Sequence, residues 1–367
     1  MGLELTLKKH HQILFFQKPG KISHSEPEIT PSIKIQNFIL RILSEIVILG
    51  LPLYGQIQVA MYLIKKLIVC LDQTPLDQTL IEYAAFIARV NQTKKIYFAN
   101  VIKNLSIPKE VLEEFPNLIE NMINERTEAM EKMVSRHFPD IKGLAISYVV
   151  KEGNLSKKIL KLAEEKSADM IMIGRKVDLP GTGVASQRLA RRASCSLLIV
   201  PEGAKPKLNR LLVPSDFSEY SKDALEEAVM IVEKHGGTAE IVCQNVFTVP
   251  SGYHFTGKSY EEFTDIMKMH AEINYKKFIR KIDTKGVKIT PIYTKDDDDD
   301  PVQEIVSKAL EIEADGIIIG AKGRTAATAL FIGSMAERLI QFNDSLPLLV
   351  TRPKGKNAGI LDYILEI

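Results

Sequence analysis

Apolar positions along this chain follow two rhythms. Short unbroken apolar runs, such as "RLLVP" from Arg210 and "GIIIG" from Gly316, have the length of strands. Between them, apolar residues recur every three or four positions, the spacing of a helix with one buried face. In the second half of the chain the runs predict strands near 210–214, 239–246, 287–293, 316–320 and 347–350. The helical stretches fall near 219–235, 258–282, 301–313 and 334–342. Continuous apolar strands that alternate with helices predict a parallel sheet covered on both faces. Right-handed crossovers then leave a doubly wound α/β fold. Its ligand crevice lies outside the carboxyl ends of the strands, where the strand order reverses.

The pattern occurs twice. "KKLIVCLDQTPLDQTLIEYAAFIA" from Lys65 parallels "NRLLVPSDFSEYSKDALEEAVMIV" from Asn209. In each, an apolar run ends in an aspartate, Asp72 or Asp216, and a helix start follows. Thr74-Pro75-Leu76-Asp77 resembles a capping box with proline at the first helical position, and Ser218 is the expected cap of the second copy. The helices carry Leu80, Ile81, Ala84, Ala85 and Ala88, and Leu225, Ala228, Val229 and Val232, at helical spacing. "NLSKKILKLAEEKSADMIMIG" from Asn154 likewise parallels "DPVQEIVSKALEIEADGIIIG" from Asp300. Asp72 to Gly174 is 102 residues and Asp216 to Gly320 is 104, so one domain is duplicated. The copies are expected at 62–202 and 208–354, with an N-terminal extension over 1–60 and a C-terminal tail over 355–367. A domain that pairs with its own copy is expected to do so within one chain, as an intramolecular pseudo-dimer.

Three glycines and a serine follow the fourth strand of the second copy: Gly320, Gly323, Gly333 and Ser334. The first and fourth strands flank the reversal point, so Asp216 and Gly320, each expected to end its strand, line one crevice. Gly320 allows close approach of backbone or ligand. Gly323 lets the loop turn tightly. Gly333 and Ser334 open a helix whose free amides and dipole attract an anion. Lys322 and Arg324 add positive charge. Singly, each of these has a structural explanation; their joint spacing at the crevice favours a nucleotide. The dinucleotide fingerprint is absent, because "PSDFSEYS" follows the first strand, and no G-x-x-x-x-G-K-[ST] loop occurs.

The spacing G-x2-G-x9-G-[ST] resembles the ATP-binding motif of the universal stress protein family. "LLVPSD", with Pro214, Ser215 and Asp216, is similar to that family's opening strand, and the duplication is similar to its tandem members. The resemblance covers about 62–354 and implies two tandem doubly wound five-stranded parallel-sheet domains of the universal stress protein fold. It implies that Asp216 and the backbone around Val246 hold adenine. Gly320 would lie against ribose, and Gly323, Gly333 and Ser334 would hold phosphates. The ligand would be ATP or a related adenine nucleotide, with or without Mg²⁺. The first copy departs from the motif: Val177 stands in place of the second glycine, Gly183-Val184 in place of Gly333-Ser334, and Cys70 in place of Pro214. Its loop is four residues shorter, so this copy reads as a weak or dead site.

Composition narrows the alternatives. A net charge of +2 with mixed signs gives no broad basic field for nucleic acid. Cys70, Cys195 and Cys243 are scattered and form no metal spacing, which fits small core residues of a reducing compartment. Residues 38–64 are apolar, but Arg41, Glu45 and Pro52 interrupt them, which argues against a membrane span. Met61 precedes the first convincing strand, and the globular fold is expected to begin there. The run Asp296–Asp300 lacks the interleaving of a cation cage. Asp300-Pro301 reads as a helix start, and the other aspartates as a solvated loop. In the helix 258–282, Phe263, Ile266, Met267, Tyr275, Phe278 and Ile282 read as core packing, and His270 as a partly buried structural histidine.

The expected protein is a cytoplasmic, nucleotide-binding stress-response protein without catalytic residues. The pseudo-dimer is its first assembly and a homodimer is a further option. The competing readings are a slow ATPase or phosphotransferase, for which Asp216 is the one obvious crevice carboxylate, and a nucleotide-free interaction scaffold.

Overall fold

The computed structural model describes residues 63–103, 107–176, 183–322 and 332–352. The expected extension over 1–60, the apolar stretch up to residue 62 and the tail lie outside them. Among the described residues no helix is long and apolar enough to cross a membrane.

The first copy runs β1 (Lys66–Cys70), α1 (Leu76–Asn91), β2 (Lys95–Ile102), α2 (Lys109–Glu114), α3 (Leu118–His137), β3 (Ala145–Glu152), α4 (Leu155–Lys166), β4 (Met170–Arg175), α5 (Val184–Arg192) and β5 (Ser196–Pro201). The second runs β6 (Arg210–Pro214), α6 (Glu219–Lys234), β7 (Glu240–Phe247), a 3₁₀ turn (Ser251–Thr256), α7 (Tyr260–Ile279), β8 (Ile289–Lys295), α8 (Pro301–Glu311), β9 (Gly316–Gly320), α9 (Ser334–Phe342) and β10 (Leu348–Thr351). All ten strands share one sheet, in the order β3-β2-β1-β4-β5-β10-β9-β6-β7-β8. Pairing is parallel within each copy. Each copy therefore has the doubly wound order 3-2-1-4-5, with its reversal between the first and fourth strands.

Crossovers in opposite directions put helices on opposite faces. Side chains of α1, α3, α6 and α7 pack in one core cluster, and those of α4, α5, α8 and α9 in the other. Both clusters draw residues from both copies, so the core is continuous across the duplication.

The copies meet edge to edge. β5 and β10 pair antiparallel, with Leu348 opposite Ile199 and Val350 opposite Leu197. Pairing the two fifth strands removes one open edge from each half-sheet. Arginines lock the seam. The Arg175 guanidinium donates to the Ile340 and Gln341 carbonyls near the end of α9, and Arg352 donates to the Ala190 carbonyl near the end of α5, at 2.6 Å. Cations here satisfy terminal helix carbonyls and complement the dipole. Arg191 pairs with Glu337, and the Phe86 and His235 rings lie 5.6 Å apart.

Helix starts follow local chemistry. The Ser218 hydroxyl accepts from the Ser221 N–H, and Asp300 caps α8 from the Gln303 N–H with Pro301 in its first turn. The box expected at Thr74 does not form. Thr74 donates instead to Asp72 at 2.5 Å, and Asp77 accepts from the Asp72 and Gln73 N–H groups at 2.9 and 2.8 Å. That carboxylate secures the β1–α1 turn rather than the helix end. The edge strand β8 begins two residues later than expected, and Val287 sits in a turn bonded to Thr284.

Candidate functional site

The second copy's crevice opens at the carboxyl ends of β6, β7 and β9. Its floor is the turn after β6. The Ser215 N–H donates to the Gln244 carbonyl of β7 at 2.7 Å. The Asn245 amide returns a bond to the Ser215 carbonyl at 2.8 Å. Phe217 then takes a left-handed φ of 62°, a conformation that costs a non-glycine residue energy unless its surroundings impose it. Here the Phe217 ring lies against Tyr275 and Phe278. The turn brings the Ser218 N–H onto Asp216 Oδ1 at 3.0 Å. Asp216 thus lies two residues beyond the strand end, half-buried in the turn, rather than ending the strand as expected.

The same turn exists in the first copy. Leu71 bonds to the Ala99 carbonyl, the Asn100 amide donates to the Leu71 carbonyl at 2.8 Å, and Gln73 also has a φ of 62°. Asn100 and Asn245 were not singled out from the sequence, although the signal was present: each copy carries Asn-Val at the same place, Asn100-Val101 and Asn245-Val246.

The copies differ at the reversal point. β1 and β4 pair over four positions, from Leu67–Met170 to Cys70–Ile173. β6 and β9 pair over two, Leu211–Gly316 and Leu212–Ile317. Pro214 accounts for the loss. Ser215 bonds toward β7, so by strand alternation residue 214 faces β9. Proline has no N–H to donate there, whereas Cys70 has one. The β6–β9 ladder is therefore two pairs shorter than its counterpart, while the two strands stay side by side.

Beyond β9 the chain returns to the crevice. The Gly333 N–H donates to the Ala321 carbonyl at 2.7 Å, which sets the start of α9 beside the end of β9. Gly333 is the N-cap residue and the exposed Ser334 the first helical residue, so Ser334 is not the cap. The first bond of α9 runs from the Glu337 N–H to Gly333, and the amides ahead of it belong to the open helix end. Lys322 stands over the Tyr220 ring at 5.6 Å. Burial, and then the Arg352 guanidinium, lower its ammonium below the usual range. Lys322 beside a helix N-terminus makes an electropositive corner suited to an anion.

Gly320 has a structural reason of its own. A Cβ there would lie 2.5 Å from the Tyr220 carbonyl oxygen in the first turn of α6. Of the close approaches expected, backbone against backbone is the one present. Pro214 and Ser215 are buried and Val246 half-buried, at the ends of their strands. The structure brings Pro214, Ser215, Asp216, Val246, Gly320, Lys322, Gly333 and Ser334 to the one end of the sheet. Gly323 and Arg324 lie outside the described residues.

In the first copy the corresponding space is filled. Lys176 pairs with Asp72 at 2.9 Å. Burial raises the Asp72 carboxyl, but hydrogen bonds from Thr74 and Lys176 outweigh it and hold the group below its usual value. The Leu76 side chain covers Gly174 at the place where the Tyr220 backbone covers Gly320. Asp77, pushed up to about 6 by burial, lies beneath.

The cysteines, the aspartate run and the helix 258–282 can also be placed. The cysteines are free and buried, and burial pushes the Cys70 and Cys243 thiols up to about 12. Asp296 is buried rather than solvated, because it accepts the Asp300 N–H at 3.0 Å and so closes the loop into α8. Among the described residues no three His, Cys, Asp or Glu side chains are grouped to hold a metal. His270 is exposed rather than partly buried. α7 buries Ala271, Tyr275 and Phe278, whereas Met269 and Ile273 are exposed, so only one side of its second half reaches the core.

The profile described as "Universal stress protein family" matches residues 63–201 and again 207–351. A universal stress protein of Methanocaldococcus jannaschii is 29% identical over 146 residues, covering 40% of this chain and 83% of that protein. The universal stress protein YxiE of Bacillus subtilis is 26% identical over 150 residues, 39% of this chain and 99% of its own. The crystal structure of a universal stress protein from Archaeoglobus fulgidus aligns with a TM-score of 0.54 at 18% identity, over 81% of this chain and all of that one. These relatives differ in span: the first two correspond to one copy, and the third to both.

Proposed function

We propose, from the premise that the chain belongs to the universal stress protein family, that its second domain, residues 208–354, binds ATP or a related adenine nucleotide. The protein acts, in this reading, as a cytoplasmic stress-response protein. The observation that carries it is the Gly333–Ala321 bond, which sets the open N-terminus of α9 at the carboxyl end of β9 beside Lys322 and Tyr220. Adenine would enter against Asp216 and the backbone at Val246. Ribose would lie near Gly320 and phosphates at Gly333 and Ser334, with Lys322, Gly323 and Arg324 around them. The helix amides and the Ser334 hydroxyl supply donors, and Lys322 supplies the field.

Binding, rather than turnover, is the reading the residues favour. Asp216 accepts from the Ser218 N–H within its own turn, which suits a fixed acceptor for the base edge better than a group that positions an attacking water. Mg²⁺, if carried, would arrive with the phosphates. The first domain fits a different role. Its Asp72–Lys176 pair and Leu76 occupy its crevice, which favours a nucleotide-free scaffold there.

Mass spectrometry of small molecules released from the purified full chain tests the reading. An adenine nucleotide near one per chain, lost in Gly333→Val, is expected. Absence of any nucleotide, with no binding on addition of ATP, ADP or AMP, overturns it. Phosphate release within a single turnover of added ATP would replace binding by hydrolysis.

A further inference from the structure

α7 has two faces. Ala271, Tyr275, Phe278 and, just beyond the helix, Ile282 are buried. About half a helical circumference away lie Glu262, Ile266, Met269, Ile273, Lys276 and Arg280. Met269 is 48% and Ile273 40% exposed, and the half-buried Ile266 packs with neither core cluster. Arg280, the C-cap residue, still has helical φ and ψ of −64° and −17°, so it continues the same face. Among the described residues, α3, the matching helix of the first copy, exposes no large apolar side chain. The six outer positions of α7 are spaced four, three, four, three and four residues apart. That alternation averages 3.5 residues and is the seam of two helices that pack along their length.

The seam is complementary to its own reverse. Turned end for end about position 271, Glu262 falls opposite Arg280 and Met269 opposite Ile273. Ile266 falls opposite Lys276, whose methylene stem can cover an apolar neighbour. Beside the seam, Asp265 falls opposite Lys277. Glu262, Asp265, Lys276, Lys277 and Arg280 are all exposed. A two-fold axis makes each of these contacts twice. The parallel arrangement would instead set Glu262 against Glu262 and Arg280 against Arg280, and like charges oppose it. Charge order along α7 therefore selects the antiparallel pairing. Glu262 Oε2 already accepts from the Ser259 N–H in a capping box, at 2.9 Å, so the Asp265–Lys277 contact is the better one to alter.

We propose that the outer face of α7 is a contact surface for a second copy of this chain, paired antiparallel about a two-fold axis near position 271. The β5–β10 edge pairing is satisfied within one chain, so this contact joins chains that are each already paired internally. It does not depend on the nucleotide reading, since none of its residues belongs to the crevice. One helix pair of this length lies at the small end of specific interfaces, under about 1,200 Å², so the dimer is weak and forms reversibly.

Sedimentation equilibrium of the full chain over a range of concentrations is the test. A monomer–dimer equilibrium with a dissociation constant on the order of 10 µM is expected. Ile273→Lys places a charge at the centre of the seam and should raise that constant by about tenfold or more. Asp265→Lys sets like charges opposite each other twice and should also raise it about tenfold. Combining Asp265→Lys with Lys277→Asp should restore association, which a merely structural role for either residue would not predict. If Ile273→Lys fails to keep the far-ultraviolet circular dichroism of the parent, the charge exchange alone decides. A chain that stays monomeric to about 200 µM, a dimer indifferent to Ile273→Lys, or a charge exchange that fails to restore association overturns the proposal.

Discussion

The two crevices share a topology, a turn and a helix start, and differ in the residues that line them. In the first copy β1 and β4 pair as far as Cys70 and Ile173, Lys176 is paired with Asp72, and Leu76 lies over Gly174. In the second, the β6–β9 ladder has two pairs, Lys322 stands over Tyr220, and the α6 backbone lies over Gly320. The difference teaches that a doubly wound fold provides a switch point but not a pocket. Here Leu76 covers Gly174 in one copy and the Tyr220 backbone covers Gly320 in the other, and only the second carries Gly333-Ser334 at the start of its last helix.

The largest effect that would break the comparison is at the two glycines. Gly320→Ala meets backbone and has nowhere to move, so it should cost about 3 kcal/mol in urea unfolding. Gly174→Ala meets a leucine side chain that can change rotamer, and should cost about 1 kcal/mol. Equal losses would mean that the two glycines do the same work.

A second contrast lies inside the helices. Position 83 of α1 is a tyrosine whose hydroxyl is bonded, whereas the matching residue of α6 is Glu227, which is 3% exposed with Oε2 unpartnered. Burial, and then Asp223, push the Glu227 carboxyl up to about 8, against a smaller opposing pull from Lys234. A folded-state value above the unfolded one means the fold prefers the protonated form. The stability it contributes is complete below the unfolded value, near 4.5, and is lost as pH rises through about 8. Glu227→Gln stays neutral at every pH. It should gain on the order of 2 kcal/mol at pH 8 and almost nothing at pH 4, as read by denaturant midpoints. A gain that does not change with pH would show that the carboxylate is not the cause.

Exchanging the strand-end residue sharpens the comparison further. Pro214→Cys restores an N–H that can bond to β9, so the 214 amide should be protected from hydrogen exchange. Nucleotide affinity should fall by roughly 1 kcal/mol, or about fivefold, as the added bond stiffens the strand end beside Asp216. An unprotected amide with unchanged affinity would dissociate the ladder from the site. The smallest effect expected is Ser334→Ala, about 0.5–1 kcal/mol in binding with unchanged stability, because Ser334 is exposed and caps nothing.

Much of this was legible in the sequence, for identifiable reasons. Unbroken β-branched runs such as Ile317–Ile319 are too short for buried helices and gave their strands directly, and Ser218 and Asp300 announced their helices by side-chain chemistry. The repeat itself disclosed the fold order and the asymmetry of the glycine motif. What sequence could not convey is orientation. The length of the β6–β9 ladder depends on which neighbour residue 214 faces, and that follows only from the Ser215–Gln244 bond. Asp296 is indistinguishable from its four neighbours until the loop folds its carboxylate onto the Asp300 N–H. His270 sits at a helical position that looks inward by spacing, but its side of α7 faces solvent. Gly320 was legible as a close approach, but not as an approach by Tyr220.

The most direct measurement is titration calorimetry of ATP into the full chain and into two variants. One site per chain is predicted, abolished by Gly333→Val at the start of α9 and untouched by Val184→Ala at the start of α5. Two sites per chain, or one site that persists in Gly333→Val and disappears in Val184→Ala, would contradict the assignment of the nucleotide site to the second copy.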